Sequence, residues 1–101
     1  MDVRDTPLAP RGYQQLTGLT VVKTLVMPAV PAGAGAGVRV RVVLLKTEGA
    51  AVRWRDDDVD PTSANGMLID VGDEFWYPGK VSKLRFIEAA PTAVLHASLY
   101  A

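Results

Sequence analysis

The chain has 101 residues, enough for one domain, and its eleven basic and eleven acidic side chains cancel to a formal net charge of zero. That balance argues against a general nucleic-acid binder, which needs excess Lys and Arg to displace counterions, and against a polybasic membrane surface. Cysteine is absent, which excludes disulfides, thiolate catalysis and cysteine-type zinc sites. Nearly half the residues are apolar, sufficient for one compact core, but a domain this small leaves much of its surface exposed. A partner or an oligomer is therefore expected.

Met1-Asp2-Val3-Arg4-Asp5 is charged and lacks the apolar stretch of a secretory signal. No apolar run approaches the ~18 residues of a membrane span, so a soluble protein made in the cytoplasm is expected. Residues 1–12, with Pro7 and Pro10, read as a short extended arm. Residues 13–101 read as one domain. From Tyr13 the hydrophobic period is two. Leu19, Val21, Leu25 and Met27 fall on one face of a strand that Pro28 and Pro31 end. Gly33 to Gly37 alternate with alanine and suit a mobile hairpin tip; the Lys-Ser/Thr end of a phosphate loop is missing.

Val38, Val40, Val42 and Leu44 are expected to face inward, with Arg39 and Arg41 outward. Glu48-Gly49 marks a turn. Val52 and Trp54 then point in, and Arg53 and Arg55 point out. After an aspartate-rich loop, Met67, Ile69 and Val71 form the next inward set. Gly72-Asp73 reads as a two-residue hairpin turn. Val81 to Ile87 is a further strand with Leu84 and Phe86 inward and Lys83 and Arg85 outward, and Ala93, Leu95, Ala97 and Leu99 alternate in the last one. Seven or eight short strands without a helical pattern predict an all-β, antiparallel, jelly-roll-like β-sandwich of about eight strands.

The densest chemistry lies between Arg53 and Asp60. Asp56, Asp58 and Asp60 have the spacing of an EF-hand loop, but Pro61 stands where that loop needs glycine and Met67 where it needs glutamate. Arg53 and Arg55 share one face and are expected to pair with Asp56 to Asp58, while an aspartate caps the turn before Pro61. The other carboxylates, among them Asp70, Asp73, Glu74 and Glu88, sit in turns, and no long substrate-binding loop accompanies them. His96 is the only histidine, so neither a histidine metal site nor a Ser-His-Asp order is suggested. Trp76 and Tyr77 occupy opposite faces of one strand, so one of them turns outward, to a partner or to a sugar.

Several motifs recur in order: Tyr13-Gln14-Gln15-Leu16-Thr17, Val30-Pro31-Ala32-Gly33-Ala34, Glu48-Gly49 through Asp57, Pro61-Thr62 with Gly66-Met67, Trp76-Tyr77 with Gly79, Arg85-Phe86-Ile87, and Leu95 to Tyr100. Together they resemble a group of small structural proteins of tailed bacteriophages and prophages, over nearly the whole chain. The group has Asp-Asp-Gly where this chain has Asp56-Asp57-Asp58. The resemblance implies a virion component of the head-decoration or accessory type, and no catalytic residue. The expectation is then a capsid decoration or cement protein, made in the bacterial host cytoplasm and located in the virion. Its expected partners are the major capsid protein or other virion proteins, and copies of itself as a dimer or trimer. No nucleic acid, membrane, cofactor, metal or enzymatic role is expected. A carbohydrate- or receptor-binding module of a tail or fibre is the alternative. The residues assigned to an interface or a structural loop are Arg53, Arg55, Asp56, Asp57, Asp58, Asp60, Trp76 and Tyr77.

Overall fold

A computed structural model describes residues 10–27 and 40–101. Among the described residues eight strands follow one another: β1 (Pro10–Leu16), β2 (Lys23–Thr24), β3 (Val42–Glu48), β4 (Val52–Arg55), β5 (Met67–Ile69), β6 (Glu74–Tyr77), β7 (Arg85–Glu88) and β8 (Val94–Tyr100). One turn of 3-10 helix, Val81–Lys83, precedes β7. Of the expected arm, Pro10 to Gly12 open β1, and the remainder lies outside the described residues, as does the Gly33–Gly37 tip.

The strands form two four-stranded sheets, ordered β1-β8-β3-β6 and β2-β7-β4-β5, with every pairing antiparallel. The pairs β1/β8, β2/β7, β3/β6 and β4/β5 are those of a single long hairpin bent between β4 and β5. Winding that ribbon on itself adds the β8/β3 and β7/β4 contacts. This is the jelly roll, and the expected all-β antiparallel sandwich is the observed fold.

The ribbon changes sheet at a corner where the Ala89 amide donates to the Ala51 carbonyl at 2.9 Å. Gly49 sits there with φ 81°, and a Cβ on it would lie 2.4 Å from the Thr92 carbonyl oxygen. Only glycine fits that approach. The register gives the sandwich two ends. Segments 17–22, 49–51, 70–73 and 89–93 form a corner end; the opposite, loop end carries 56–66, 78–84 and the start of β3.

The two inner faces meet in one core. Val43, Leu45, Leu95, Ala97 and Leu99 come from one sheet, and Val52, Ile69 and Phe86 from the other. Leu19, Leu25, Val81 and Leu84 close its rim. Each fully buried Leu or Phe contributes about 1.5–3 kcal/mol of transfer free energy.

Four expectations change. Residues 13–27 are two strands in different sheets, because Gly18, at φ 63°, lets the chain turn; Leu19 and Leu25 are buried while Val21 is exposed. In β3 the inward set is Val43, Leu45 and Thr47, one residue out of phase with the expected set. Four consecutive apolar residues, 42–45, erase the alternation that fixes a register. Around Gly72 the turn is Asp70 to Asp73, closed by the Asp73 amide on the Asp70 carbonyl at 3.0 Å. It joins β5 to β6 across the two sheets and is not a hairpin; Met67 and Val71, at its flanks, are exposed. The strand expected from Val81 begins only at Arg85, after the 3-10 turn.

Candidate functional site

The loop after β4 is held by pairs that cross the loop end. Arg55 forks onto Asp57, Nε to Oδ1 at 2.9 Å and Nη2 to Oδ2 at 2.5 Å. That hydrogen-bonded pair holds the Asp57 carboxyl below its ordinary range and raises the Arg55 guanidinium. The backbone amides of Asp57 and Val59 add to the lowering of the Asp57 carboxyl. Asp58 meets Lys83 at 3.2 Å and Asp60 meets Arg85 at 3.0 Å. Arg85 also donates to the Asp58 carbonyl at 3.1 Å. Asp56 accepts from the Tyr77 hydroxyl.

The expected pairing of arginines with aspartates is thus met by Arg55 and not by Arg53. Arg53 instead donates to two backbone carbonyls, Ser63 at 3.0 Å and Gly66 at 2.9 Å. These belong to a tight turn in which Thr62 and Asn65 exchange backbone hydrogen bonds above the buried Pro61. Gly66, at φ 141°, packs so closely that a Cβ would stand 3.2 Å from both Pro61 Cβ and the Trp54 carbonyl. The Pro-Thr-x-x-x-Gly motif is therefore a packed corner. Asp58 has φ 64°, the left-handed conformation that a glycine would adopt without strain, and an aspartate tolerates it.

Lys83 and Arg85 are the cations that sequence reasoning missed. Their alternation announced only that they faced outward, not which loop they would meet. Among the described residues, no three His, Asp or Glu side chains gather as a metal site would require.

Trp54 stacks on Phe75 and meets Tyr77 edge-on, each at 5.5 Å between ring centroids. This trio joins β4 to β6 across the open side of the sandwich. Tyr77 is buried; Trp76, its neighbour on the opposite face, is 49% exposed. Trp76 lies against Tyr100 on the outer face of the first sheet, where the register also places Tyr13, Ser98 and Leu44 in its row. The adjacent row is polar: Gln15, His96, Lys46 and Glu74. His96 Nε2 stands 2.8 Å from Glu48 Oε1, and its Nδ1 is hydrogen-bonded to the Tyr13 hydroxyl. A carboxylate only accepts, so Nε2 carries a proton toward Glu48.

On the other open side, the Gln14 side-chain amide bonds both the amide and the carbonyl of Val26. It acts as a peptide unit between β1 and the chain leaving β2.

Comparison of the chain with protein-family models, with curated proteins and with solved structures finds no match.

Proposed function

We propose that this protein is a structural component of a bacteriophage virion, a decoration or cement protein that binds the assembled head and stabilises it. The observation that carries the reading is how its side chains are spent. Every aspartate of the one chemically dense loop is engaged within the chain, by Arg55, Lys83, Arg85 or Tyr77. Large apolar side chains are left outside instead: Tyr13, Val21, Val26, Val59, Met67, Leu68, Val71 and Trp76 are each about half exposed or more. A rigid β block with apolar surface on several sides suits contact with other proteins better than it suits chemistry. The sequence resemblance to phage structural proteins points the same way.

In this reading, copies bind the outside of a completed shell across the junctions of the major capsid protein. Binding only the assembled form stabilises it by mass action, and repetition on a lattice makes modest single contacts sufficient. No catalytic group, cofactor, nucleic acid or membrane enters. The test is reconstitution. Purified protein is added to heads that lack it, and bound copies and the temperature of shell disruption are measured. Saturable binding of hundreds of copies with a raised disruption temperature is expected. Absence of binding, or a handful of copies per particle, rejects the cement role.

Trp76 favours a second reading. An exposed indole beside the polar row of Gln15, His96, Lys46 and Glu74 is a surface on which a sugar ring can stack and hydrogen-bond. A carbohydrate- or receptor-binding module of a tail or fibre would use it so, and binding of the isolated protein to a glycan array separates the two readings.

A further inference from the structure

Among the described residues the charges are divided unevenly between the two ends of the sandwich. At the corner end stand Glu48, Asp70, Asp73, Glu74 and Glu88, with two cations among them, Lys46, 4.0 Å from Glu74, and Lys23, whose ammonium lies beside Gly18. At the loop end, Arg55, Lys83 and Arg85 are matched by aspartates, and Arg11, Arg41 and Lys80 add further positive charge. The topology enforces this placement. Lys46 faces Glu74 near one end of the β3/β6 pair, while Val43 faces Tyr77 near the other, so Arg41 and Lys80 extend beyond the same end. Each end also presents exposed valines: Val21 and Val71 beside the carboxylates, Val26 and Val59 beside the cations.

We propose that the acidic corner end of one copy docks on the basic loop end of a second, so that the protein associates head to tail. Docking unlike ends sets opposite charges against one another, which offsets the cost of desolvating them, whereas a two-fold pairing of like ends would set carboxylate against carboxylate. The contact is therefore heterologous, and repetition closes a ring or continues along a lattice. It does not rest on shell binding; the association takes place between copies in solution.

The experiment is sedimentation velocity on the purified full chain over a range of concentrations, at ~0.01 M and at ~0.5 M salt, the latter screening charges beyond a few ångströms. Association at low salt and its loss at high salt are expected. Two reversed variants follow: Asp73→Lys with Glu74→Lys, and Arg41→Glu with Lys80→Glu. Each alone should remain monomeric, and an equimolar mixture should associate, because the altered ends complement each other and the unaltered ends, basic on one variant and acidic on the other, still match. Asp73→Asn with Glu74→Gln, a milder change, should weaken association and serves if the lysine variant does not fold. A monomer under all conditions overturns the proposal, as does an oligomer insensitive to the neutralised acidic end. Failure here leaves shell binding untouched, since no shell is present.

Discussion

The Tyr77 hydroxyl donates to Asp56 Oδ2 at 2.5 Å, tying the last residue of β6 to the first loop residue after β4. The two strands belong to opposite sheets, so this one bond helps close the open side of the sandwich. Burial, and after it the Asp56 carboxylate, pushes the Tyr77 phenol up to about 12. A raised folded-state value means that the fold favours the protonated phenol. Its contribution is fully present below the ordinary tyrosine value of ~10 and is lost as pH rises through the folded value. Tyr77→Phe should lower stability at neutral pH by about 1–2 kcal/mol, since Asp56 loses its partner. It should also flatten the alkaline decline between ~pH 10 and ~pH 12. Denaturant titrations of both proteins across that range check this; equal alkaline slopes would contradict the assignment.

Backbone conformation predicts opposite outcomes at two positions of the same loop. Asp58, at φ 64°, bears a left-handed strain of about 1 kcal/mol that glycine would relieve. Its link to Lys83 is exposed and contributes little. Asp58→Gly should therefore be neutral or slightly stabilising, and Asp58→Ala destabilising. Gly66→Ala forces a Cβ against Pro61 and the Trp54 carbonyl at an unfavourable φ, and should cost about 2 kcal/mol or more. Thermal melts of the three variants rank them, and a Gly66→Ala protein as stable as the parent would refute the packed-corner account.

What the sequence discloses depends on how far each signal is local. The last strand was legible because Ala93, Leu95, Ala97 and Leu99 alternate without interruption, and all four are buried. The phase of β3 was not, because Val42, Val43, Leu44 and Leu45 satisfy either face; the register with β6 and β8 decides it. The Arg55–Asp57 fork, two residues apart, was readable. Lys83 and Arg85 reach the same loop from 25 residues away, a relation that exists only after β4 and β7 pair. The expected hairpin at Gly72 failed for the same reason: the turn residues were right, but a jelly roll sends the next strand to the other sheet.

The two neighbouring arginines should respond differently to removal. Arg53 satisfies two carbonyls of the 62–66 turn, one of them in a partly buried setting, so Arg53→Ala strands acceptors and should cost about 2 kcal/mol. Arg55 and Asp57 form an exposed pair, and replacing Arg55 should cost less. Because Arg55 depresses the Asp57 carboxyl, whatever stability the pair adds is present above the ordinary aspartate range and is lost as pH falls through the folded value. That acid-side loss should shrink in high salt and disappear in Asp57→Asn. Stability of Arg53→Ala equal to that of Arg55→Ala would contradict the assignment of Arg53 to the turn.

Trp76 separates fold from function. It is half exposed on the outer face of the first sheet, and its main aromatic neighbour is Tyr100, 5.5 Å away between centroids. Truncating it leaves no buried cavity, so Trp76→Ala should cost only about 1 kcal/mol of stability. Phe86→Ala, in the core, should cost about 3–5 kcal/mol. If the outer face meets a partner, an exposed tryptophan is the side chain expected to dominate that contact, and its loss should weaken binding by tenfold or more, about 1.4 kcal/mol. Under the proposed cement role, affinity of Trp76→Ala for heads lacking the protein, measured beside its melting temperature, gives both quantities at once. A stable variant with weakened head binding places the contact on this face. A stable variant that binds heads as the parent does moves the contact to the ends of the sandwich, where Asp73, Glu74, Arg41 and Lys80 become the next residues to change.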